Sequence, residues 1–355
     1  MILSQNLSYY QTIDSSGMLG ILDKFPQQCR DAFELASNFP IPEDYRKCKH
    51  IVFSGMGGSA IGADIIRSYS LYKIGYPLTV IRNYRIPKFI NRESLFFACS
   101  YSGNTEETLA SFQEARKKKA RIIVICSGGK LLELARKNRI PCLVIPEGYP
   151  PRQALGYSFF SPLKILGNLG IIHKLSNEVE ETLSVLTRLR DNNLSFDIGI
   201  KNNPAKKLAY FLKNKFPVIY GSCDYLDAVI TRWRGQFAEN SKTLSSVNFF
   251  PEMNHNEIVG WRFPQKLLKD FAVLMLRDSS EHKRVSQRIE ITKELLKKDG
   301  FKIKEIWSQG NSLMARMFSL VYIGDFASFY LGILNSIDPT PVEPIVYLKK
   351  KLLSV

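Results

Sequence analysis

Short apolar runs that end in glycine- and serine-rich turns recur along this chain, and residues 96–109, FFACSYSGNTEETL, form the clearest example. The apolar run is too short for a long helix, and a renewed helical pattern starts at Glu106 and Glu107. This order predicts a buried strand, a hydroxyl-rich turn and a helix start. Hydroxyls and free backbone N–H groups at a helix N-terminus suit an anion, above all a phosphate. An ordinary serine-rich N-cap is the alternative.

The same pattern runs through the rest of the chain. Strands are predicted at residues 50–54, 77–81, 95–99, 121–126 and 141–145, and again at 216–222, 271–276 and 301–306. Continuous apolar strands that alternate with amphipathic helices predict an α/β fold, in which a parallel sheet is covered by helices on both faces. The turns fall at the carboxyl ends of the strands, where such sheets bind ligands. Because the pattern starts twice, we expect a duplicated domain.

The chain of 355 residues is long enough for two packed cores. We predict five segments: a leading helical segment (1–45), a first α/β domain (46–175), a connector (176–205), a second α/β domain (206–336) and a C-terminal segment (337–355). The last is expected to be a turn followed by a short basic stretch.

The net charge of +16 first suggests a protein that binds nucleic acid. However, the lysines and arginines are dispersed and no zinc-finger, RRM or KH signature accompanies them, so a solvated basic surface that attracts anionic substrates is favoured. No nucleic-acid partner is therefore expected. Because no apolar run approaches the roughly 20 residues of a membrane span, no membrane partner is expected either. The N-terminus lacks a secretory signal pattern, and six scattered cysteines form no C-x-x-C pair. These features predict a cytoplasmic protein with reduced thiols.

Residues 55–62, GMGGSAIG, have the strand–turn–helix layout of a nucleotide-binding loop. Their spacing matches neither the dinucleotide fingerprint nor the P-loop. Ser59 stands where a hydroxyl and backbone amides can meet a small anion or a sugar. A tight turn that packs a helix on the sheet is the alternative interpretation.

Three further residues are candidates for chemistry. Arg152 follows two prolines at a helix start and can present its charge to an oxyanion, although spacing alone favours a surface arginine. Glu239 ends a helix, where a carboxylate that is neither solvated nor paired would have a raised pKa suited to a general base; a solvated helix end is the alternative. His255 lies among asparagines and carboxylates in a loop, unlike a core histidine. No second histidine stands at ligand spacing, so no metal site is predicted.

The segments GMGGSAIGAD, SYSGNTEETL, PRQALG, AENSK and NHNEIVGW occur in this order. Together they resemble the bifunctional phosphoglucose/phosphomannose isomerase family of the sugar-isomerase (SIS) domain superfamily. The resemblance covers roughly residues 20–350. It implies two flavodoxin-like SIS domains, each a parallel sheet with helices on both faces, and a homodimer whose interface holds the active site.

The resemblance also assigns roles to residues of this sequence. It implies substrate binding by Gly57, Gly58, Ser59, Ser100, Ser102, Thr105, Thr340 and Lys349. Of these, Ser100, Ser102 and Thr105 would bind the phosphate, and Thr340 would accept the mannose epimer. Lys350 and Lys351 adjoin Lys349 and are alternatives to it.

The implied reaction is a metal-independent aldose–ketose isomerisation of glucose 6-phosphate and mannose 6-phosphate to fructose 6-phosphate, without a cofactor. Glu239 would move the proton between C2 and C1, Arg152 would stabilise the cis-enediolate, and His255 of the partner subunit would open the ring. The alternatives are an isomerase of an amino-sugar or longer sugar phosphate and a non-catalytic sugar-phosphate regulator.

Overall fold

The computed structural model describes residue 3 and residues 5–352. The strands in this part of the chain are β1 (His50–Ser54), β2 (Leu78–Ile81), β3 (Ser94–Cys99), β4 (Arg121–Cys126), β5 (Cys142–Val144), β6 (Phe216–Ser222), β7 (Ser246–Phe250), β8 (Phe271–Arg277) and β9 (Lys302–Trp307). The helices are α1 (Leu7–Gln11), α2 (Met18–Asp23), α3 (Phe25–Leu35), α4 (Gly57–Ser70), α5 (Glu106–Lys117), α6 (Gly129–Lys137), α7 (Leu155–Asn168), α8 (Leu175–Leu189), α9 (Pro204–Leu212), α10 (Asp227–Asn240), α11 (Gln265–Leu268), α12 (Lys283–Lys298), α13 (Leu313–Leu334) and α14 (Glu343–Leu352).

The described chain divides into two units. The N-terminal unit comprises residues 24–184 and 312–315, and the C-terminal unit comprises the other described residues. The predicted segment boundaries remain a prediction, since contacts group the residues by space and not by sequence.

The N-terminal unit contains a five-stranded parallel sheet in the order β2-β1-β3-β4-β5. Strand β3 is buried at every position, because it lies in the middle of the sheet with both faces covered. On one face, Val52 and Phe96 pack with Phe112 of α5 and side chains of α6. Side chains alternate along a strand, so Phe53 and Phe97 point to the other face, where their rings stack at 4.4 Å.

The C-terminal unit contains a four-stranded parallel sheet in the order β7-β6-β8-β9. Its order repeats that of β2-β1-β3-β4, which confirms the predicted α/β class with two parallel sheets. Strand β7 is missing from the sequence prediction. It is an edge strand, half-buried along most of its length, so its sequence SVNFF lacks the continuous apolar run of the inner strands.

The structure adds a detail to the expectation for the end of the chain and corrects an expectation that concerns α13. The C-terminal basic stretch is part of helix α14, whose lysines occupy the last turn, where cations are stabilised by the helix dipole. Among the described residues, α13 is long and apolar enough to cross a membrane by length and composition, contrary to the expectation that no run approaches that size. The 18-residue window that meets the criterion is entirely buried within the protein, as in a core helix.

Candidate functional site

The loop after β1 leads directly into α4. Gly57 starts the helix with φ of +49°, and Gly58 and Ser59 follow in its first turn. The Ser59 hydroxyl accepts a hydrogen bond from the backbone N–H of Tyr101 at 3.0 Å. The loops after β1 and β3 are therefore joined at the carboxyl edge of the sheet, where open α/β sheets bind ligands.

The loop after β3 holds the three hydroxyls predicted to bind phosphate. Ser100 is buried, and its hydroxyl donates to the Thr105 hydroxyl at 2.9 Å. Thr105 is the N-cap of α5, but its side chain caps none of the backbone N–H groups of the first turn. Ser102 is exposed and accepts from the N–H of Asn104 at 3.3 Å. The structure thus gathers hydroxyls at a helix N-terminus, an arrangement suited to an anion.

The carboxylate of Glu106, the first residue of α5, forms a hydrogen bond outside the loop. Glu106 is exposed and accepts a hydrogen bond from the Tyr84 hydroxyl at 3.3 Å. A carboxylate near a bound phosphate would be repelled unless it points away. The contact with Tyr84 gives it a partner outside the loop.

Arg152 lies in a 3₁₀ turn, Pro151–Gln153, between β5 and α7. It is 4% exposed, so the surface-arginine interpretation is wrong. A side-chain carbon added at Gly58 would lie 2.2 Å from the Pro151 carbonyl oxygen. The start of α4 and this turn therefore touch backbone to backbone, which glycine alone permits.

A buried glutamine of α3 holds the other side of the turn. The Gln28 amide nitrogen donates to the Gln153 carbonyl at 2.9 Å, and its amide oxygen accepts from the Gly156 N–H at 2.8 Å. Gln28 is 2% exposed. Two hydrogen bonds from one buried side chain fix the backbone on the carboxyl side of Arg152.

In the C-terminal unit, Glu239 is half-buried in the last turn of α10. The orientation of this helix is set by α13. Arg232 forms a two-pronged ion pair with Asp325, at 3.1 Å and 2.7 Å, and Gln236 donates to the same carboxylate at 2.8 Å. These side chains are 1–3% exposed. The pair fixes the rotation of α10 and with it the direction in which Glu239 projects.

Lys242 connects the end of α10 to the turn that carries Thr340. Its ammonium group donates to the carbonyl oxygens of Glu239 at 2.6 Å, Asp338 at 3.3 Å and Pro339 at 3.1 Å. Thr340 itself donates its N–H to the Asp338 carboxylate at 2.9 Å. The structure therefore brings the backbone of Glu239 close to the turn of Thr340, although about 100 residues separate them in the sequence.

His255 ends a 3₁₀ turn, Glu252–His255, and is exposed, unlike a core histidine. Its neighbours hold the loop in place. The Asn254 amide donates to the Thr292 hydroxyl of α12 at 2.9 Å, and the Asn256 amide donates to the Glu252 carboxylate at 2.7 Å. The asparagines that flank His255 are thus structural and leave the imidazole at the surface.

Lys349 is exposed on α14, together with Lys350 and Lys351. Consecutive residues of a helix project about 100° apart. The helical conformation therefore points these three ammonium groups in different directions.

Sequence reasoning missed three residues that fix candidate residues within their own units: Gln28 and Tyr101 in the N-terminal unit, and Lys242 in the C-terminal unit. Tyr101 and Lys242 lie inside two of the motifs, but the motifs point to residues that can contact a substrate and give no signal for residues that bind other segments of the chain. Gln28 carries no local signal, since its partners are more than 120 residues away. Within the described part of the chain, no group of three or more His, Cys, Asp or Glu side chains is arranged to hold a metal ion.

Comparison with known proteins places these features in a family. Residues 44–146 match the SIS domain, and residues 201–352 match the bacterial phospho-glucose isomerase C-terminal SIS domain. The chain is 43% identical, over 330 residues, to a bifunctional phosphoglucose/phosphomannose isomerase of Caldicellulosiruptor bescii; the alignment covers 93% of this chain and 97% of the relative. It is 34% identical to the protein of the same name from Aquifex aeolicus, over 88% of this chain and 93% of that protein.

A solved structure has the same fold. A hypothetical protein of Thermus thermophilus superimposes with a TM-score of 0.76, covering 98% of this chain and 94% of that one, at 16% identity. The matched domains and the extent of identity with the two relatives confirm the resemblance inferred from the five motifs. The chain belongs to the bifunctional phosphoglucose/phosphomannose isomerase family, with two SIS domains.

Proposed function

We propose that this chain interconverts glucose 6-phosphate and mannose 6-phosphate with fructose 6-phosphate, by a mechanism in which side chains and not a metal ion move the protons. Membership of the family, whose relatives carry both activities in their names, is the observation that supports this proposal most strongly. The hydroxyl cluster at the N-terminus of α5 adds independent support, because it suits a phosphate.

The N-terminal unit would supply the anion-binding groups. Ser100, Ser102 and Thr105 would bind the phosphate, while Gly57–Ser59 would bind the sugar. Fixing the phosphate contributes binding energy far from the reacting carbons, which orients C1 and C2. Arg152 would place its guanidinium at the oxygens that become negative in the enediolate.

Glu239 would act as the base. Its carboxylate would take the proton from C2 of the open-chain aldose, giving a cis-enediolate. It would return that proton to C1, while the proton of the C2 hydroxyl passes to the oxygen of C1, to form the ketose. His255 would move a proton to and from the ring oxygen to open the hexose. Thr340 would accept the mannose epimer, and Lys349 would contact the substrate from the C-terminal helix.

The test is a coupled assay with each aldose phosphate, in the presence of a chelator, on the wild type and on Glu239→Gln. We expect both activities in the wild type and a loss of about a thousandfold or more in kcat for the variant, since an amide cannot take the proton. Glu294→Gln is the matched control, because Glu294 is an exposed residue of α12. Full activity of Glu239→Gln would overturn the mechanism, and a wild type that is inactive on both sugars would overturn the function.

We further infer a homodimer in which His255 acts in the site of the partner subunit. Large apolar side chains close to His255 in the sequence are strongly exposed, with Val259 at 77% and Phe263 at 75%. Such exposure favours a protein contact. A cytoplasmic location is proposed from the six cysteines, all of which are free thiols.

A further inference from the structure

Tyr101 lies between two of the predicted phosphate-binding serines, and its backbone contacts two neighbouring loops. Its N–H donates to the Ser59 hydroxyl at 3.0 Å. Its carbonyl oxygen accepts from the N–H and the hydroxyl of Ser127, at 2.9 Å and 2.7 Å. The loops after β1, β3 and β4 are therefore tied together at this one residue.

The side chain of Tyr101 reaches a fourth segment, the one that leads to Arg152. Its hydroxyl donates to the Pro146 carbonyl at 3.0 Å and accepts from the Tyr149 N–H at 2.8 Å. Burial raises the pKa of the phenol, which keeps the hydroxyl neutral and able to donate. One hydroxyl thus uses its donor and an acceptor position on two points of the same short segment.

The backbone between Tyr149, which the Tyr101 hydroxyl contacts, and Arg152 has few freely rotating torsions. Tyr149 is followed by Pro150 and Pro151, whose rings restrict φ. Beyond Arg152, Gln28 holds the backbone at Gln153 and Gly156, and Gly58 closely approaches the Pro151 carbonyl that precedes Arg152. The turn that carries the Arg152 guanidinium is therefore held by contacts on both sides. The contact that comes from the phosphate-binding loop is the one made by the Tyr101 hydroxyl.

We propose that Tyr101 is a positioning residue whose hydroxyl fixes Arg152 relative to the phosphate-binding loop. This rests on the proposed function, in which Arg152 stabilises the enediolate and Ser100, Ser102 and Thr105 bind the phosphate. The hydroxyl sets the distance between the group that anchors the substrate and the group that stabilises its charge. Because Arg152 acts on charge that develops in the transition state, a displaced guanidinium lowers kcat more than it raises KM.

Tyr101→Phe tests this by removing a single oxygen atom while the ring stays in place. We expect kcat to fall by about tenfold with KM unchanged within about twofold, since a misplacement of about 1 Å can cost up to a hundredfold in rate. The inhibition constant of inorganic phosphate should stay within about twofold, because the three hydroxyls remain. Tyr45→Phe is the matched control. The Tyr45 hydroxyl donates to the Ile122 carbonyl at 3.1 Å in the same unit, away from the loops, and its loss should leave kcat unchanged.

A double-mutant cycle with Arg152→Gln separates positioning from a general structural effect. In the Arg152→Gln background, Tyr101→Phe should change kcat by less than about twofold, because the group that it positions is already gone. An equal loss of kcat in both backgrounds would overturn the inference, as would an unchanged kcat in Tyr101→Phe alone. Weakened inhibition by phosphate in Tyr101→Phe would also overturn it, since Tyr101 would then shape the phosphate loop.

The same cycle distinguishes a failure of the inference from a failure of the proposed function. If Arg152→Gln keeps the wild-type kcat, the role proposed for Arg152 is wrong, whatever Tyr101→Phe does. If Arg152→Gln loses activity and Tyr101→Phe does not, the role of Arg152 stands and the positioning role of Tyr101 falls. Thermal unfolding of each variant verifies that the loss of activity is measured on folded protein.

Discussion

At the scale of single residues, Gly58 shows how a motif glycine can serve the site without contacting a substrate. A carbon added at this position would lie 2.2 Å from the Pro151 carbonyl oxygen and 2.8 Å from the Arg152 nitrogen. Real side-chain carbons do not approach backbone atoms so closely, so the turn would have to move. Gly58 therefore fixes how near α4 comes to Arg152, besides any role in binding the sugar.

Gly58→Ala is accordingly expected to lower kcat by about tenfold or more, because the added methyl group displaces the turn that carries Arg152. Steady-state kinetics of the folded variant measure the effect. Gly75→Ala is the control, since Gly75 lies in the same unit, has a negative φ and has open space around the added carbon. Equal kinetics for Gly58→Ala and the wild type would show that the contact does not matter for the reaction.

At the scale of elements, the packing of α10 on α13 depends on a buried ion pair. Arg232 and Asp325 are 3% and 1% exposed and are joined by two hydrogen bonds. Gln236 donates to the same carboxylate, so the polar groups are mutually satisfied. Removing one partner of such a pair leaves the other charge buried and unpaired, which costs far more than the pair contributes.

Asp325→Ala should therefore reduce the free energy of unfolding by about 3–5 kcal/mol, measured by denaturant titration. The control is Glu180→Ala, which breaks the exposed pair between Arg30 and Glu180 and should cost about 1 kcal/mol or less. Similar losses in the two variants would contradict the view that burial makes the pair of α10 and α13 essential.

The loops after β3 and β8 occupy equivalent positions in their sheets, but their polar side chains have different hydrogen-bond partners. Around the loop after β8, the buried Asp278 carboxylate accepts from the Ser280 N–H at 2.8 Å and from the Ser308 hydroxyl at 2.7 Å, and it pairs with Arg316 at 2.9 Å. The Asp278 carboxylate therefore satisfies the hydrogen-bond donors around this loop. Around the loop after β3, the exposed Ser102 is left facing solvent. The proposed anion site is thus assigned to the N-terminal unit, while the matching loop of the C-terminal unit holds a closed polar network.

At the scale of the whole molecule, the proposed dimer can be tested by mixing inactive variants. Glu239→Gln and His255→Ala are each expected to lose most activity. If His255 acts in the site of the partner subunit, a heterodimer of the two variants has one site in which both residues are intact. Mixing the two proteins after mild dissociation should therefore restore up to about a quarter of the wild-type activity, because half of the dimers are mixed and one of the two sites in each is intact.

A mixture with no more activity than the separate variants would contradict sharing across the interface, provided that mass measurement shows that subunits have exchanged. Mixing Glu239→Gln with itself under the same conditions is the control. A monomeric mass for the wild type would contradict the dimer directly.

What the sequence determined by itself was the alternation of elements and the chemistry of the loops. Continuous apolar runs made β1, β3, β4, β6 and β8 predictable, because inner strands of a parallel sheet are buried on both faces. The edge strand β7 was not predicted, because Ser246 and Asn248 interrupt its apolar residues. The candidate residues Ser100, Thr105, Arg152 and Glu239 were identified because motifs are local and their order is specific.

Only the tertiary structure decided what holds those residues in place. The burial of Arg152, the two hydrogen bonds of the Tyr101 hydroxyl, the amide of Gln28 and the three carbonyl contacts of Lys242 all join segments that are distant in sequence. Sequence periodicity records which face of an element is apolar, but it does not record which buried polar group meets which partner. That choice is made when the elements pack, because each buried donor must then find an acceptor.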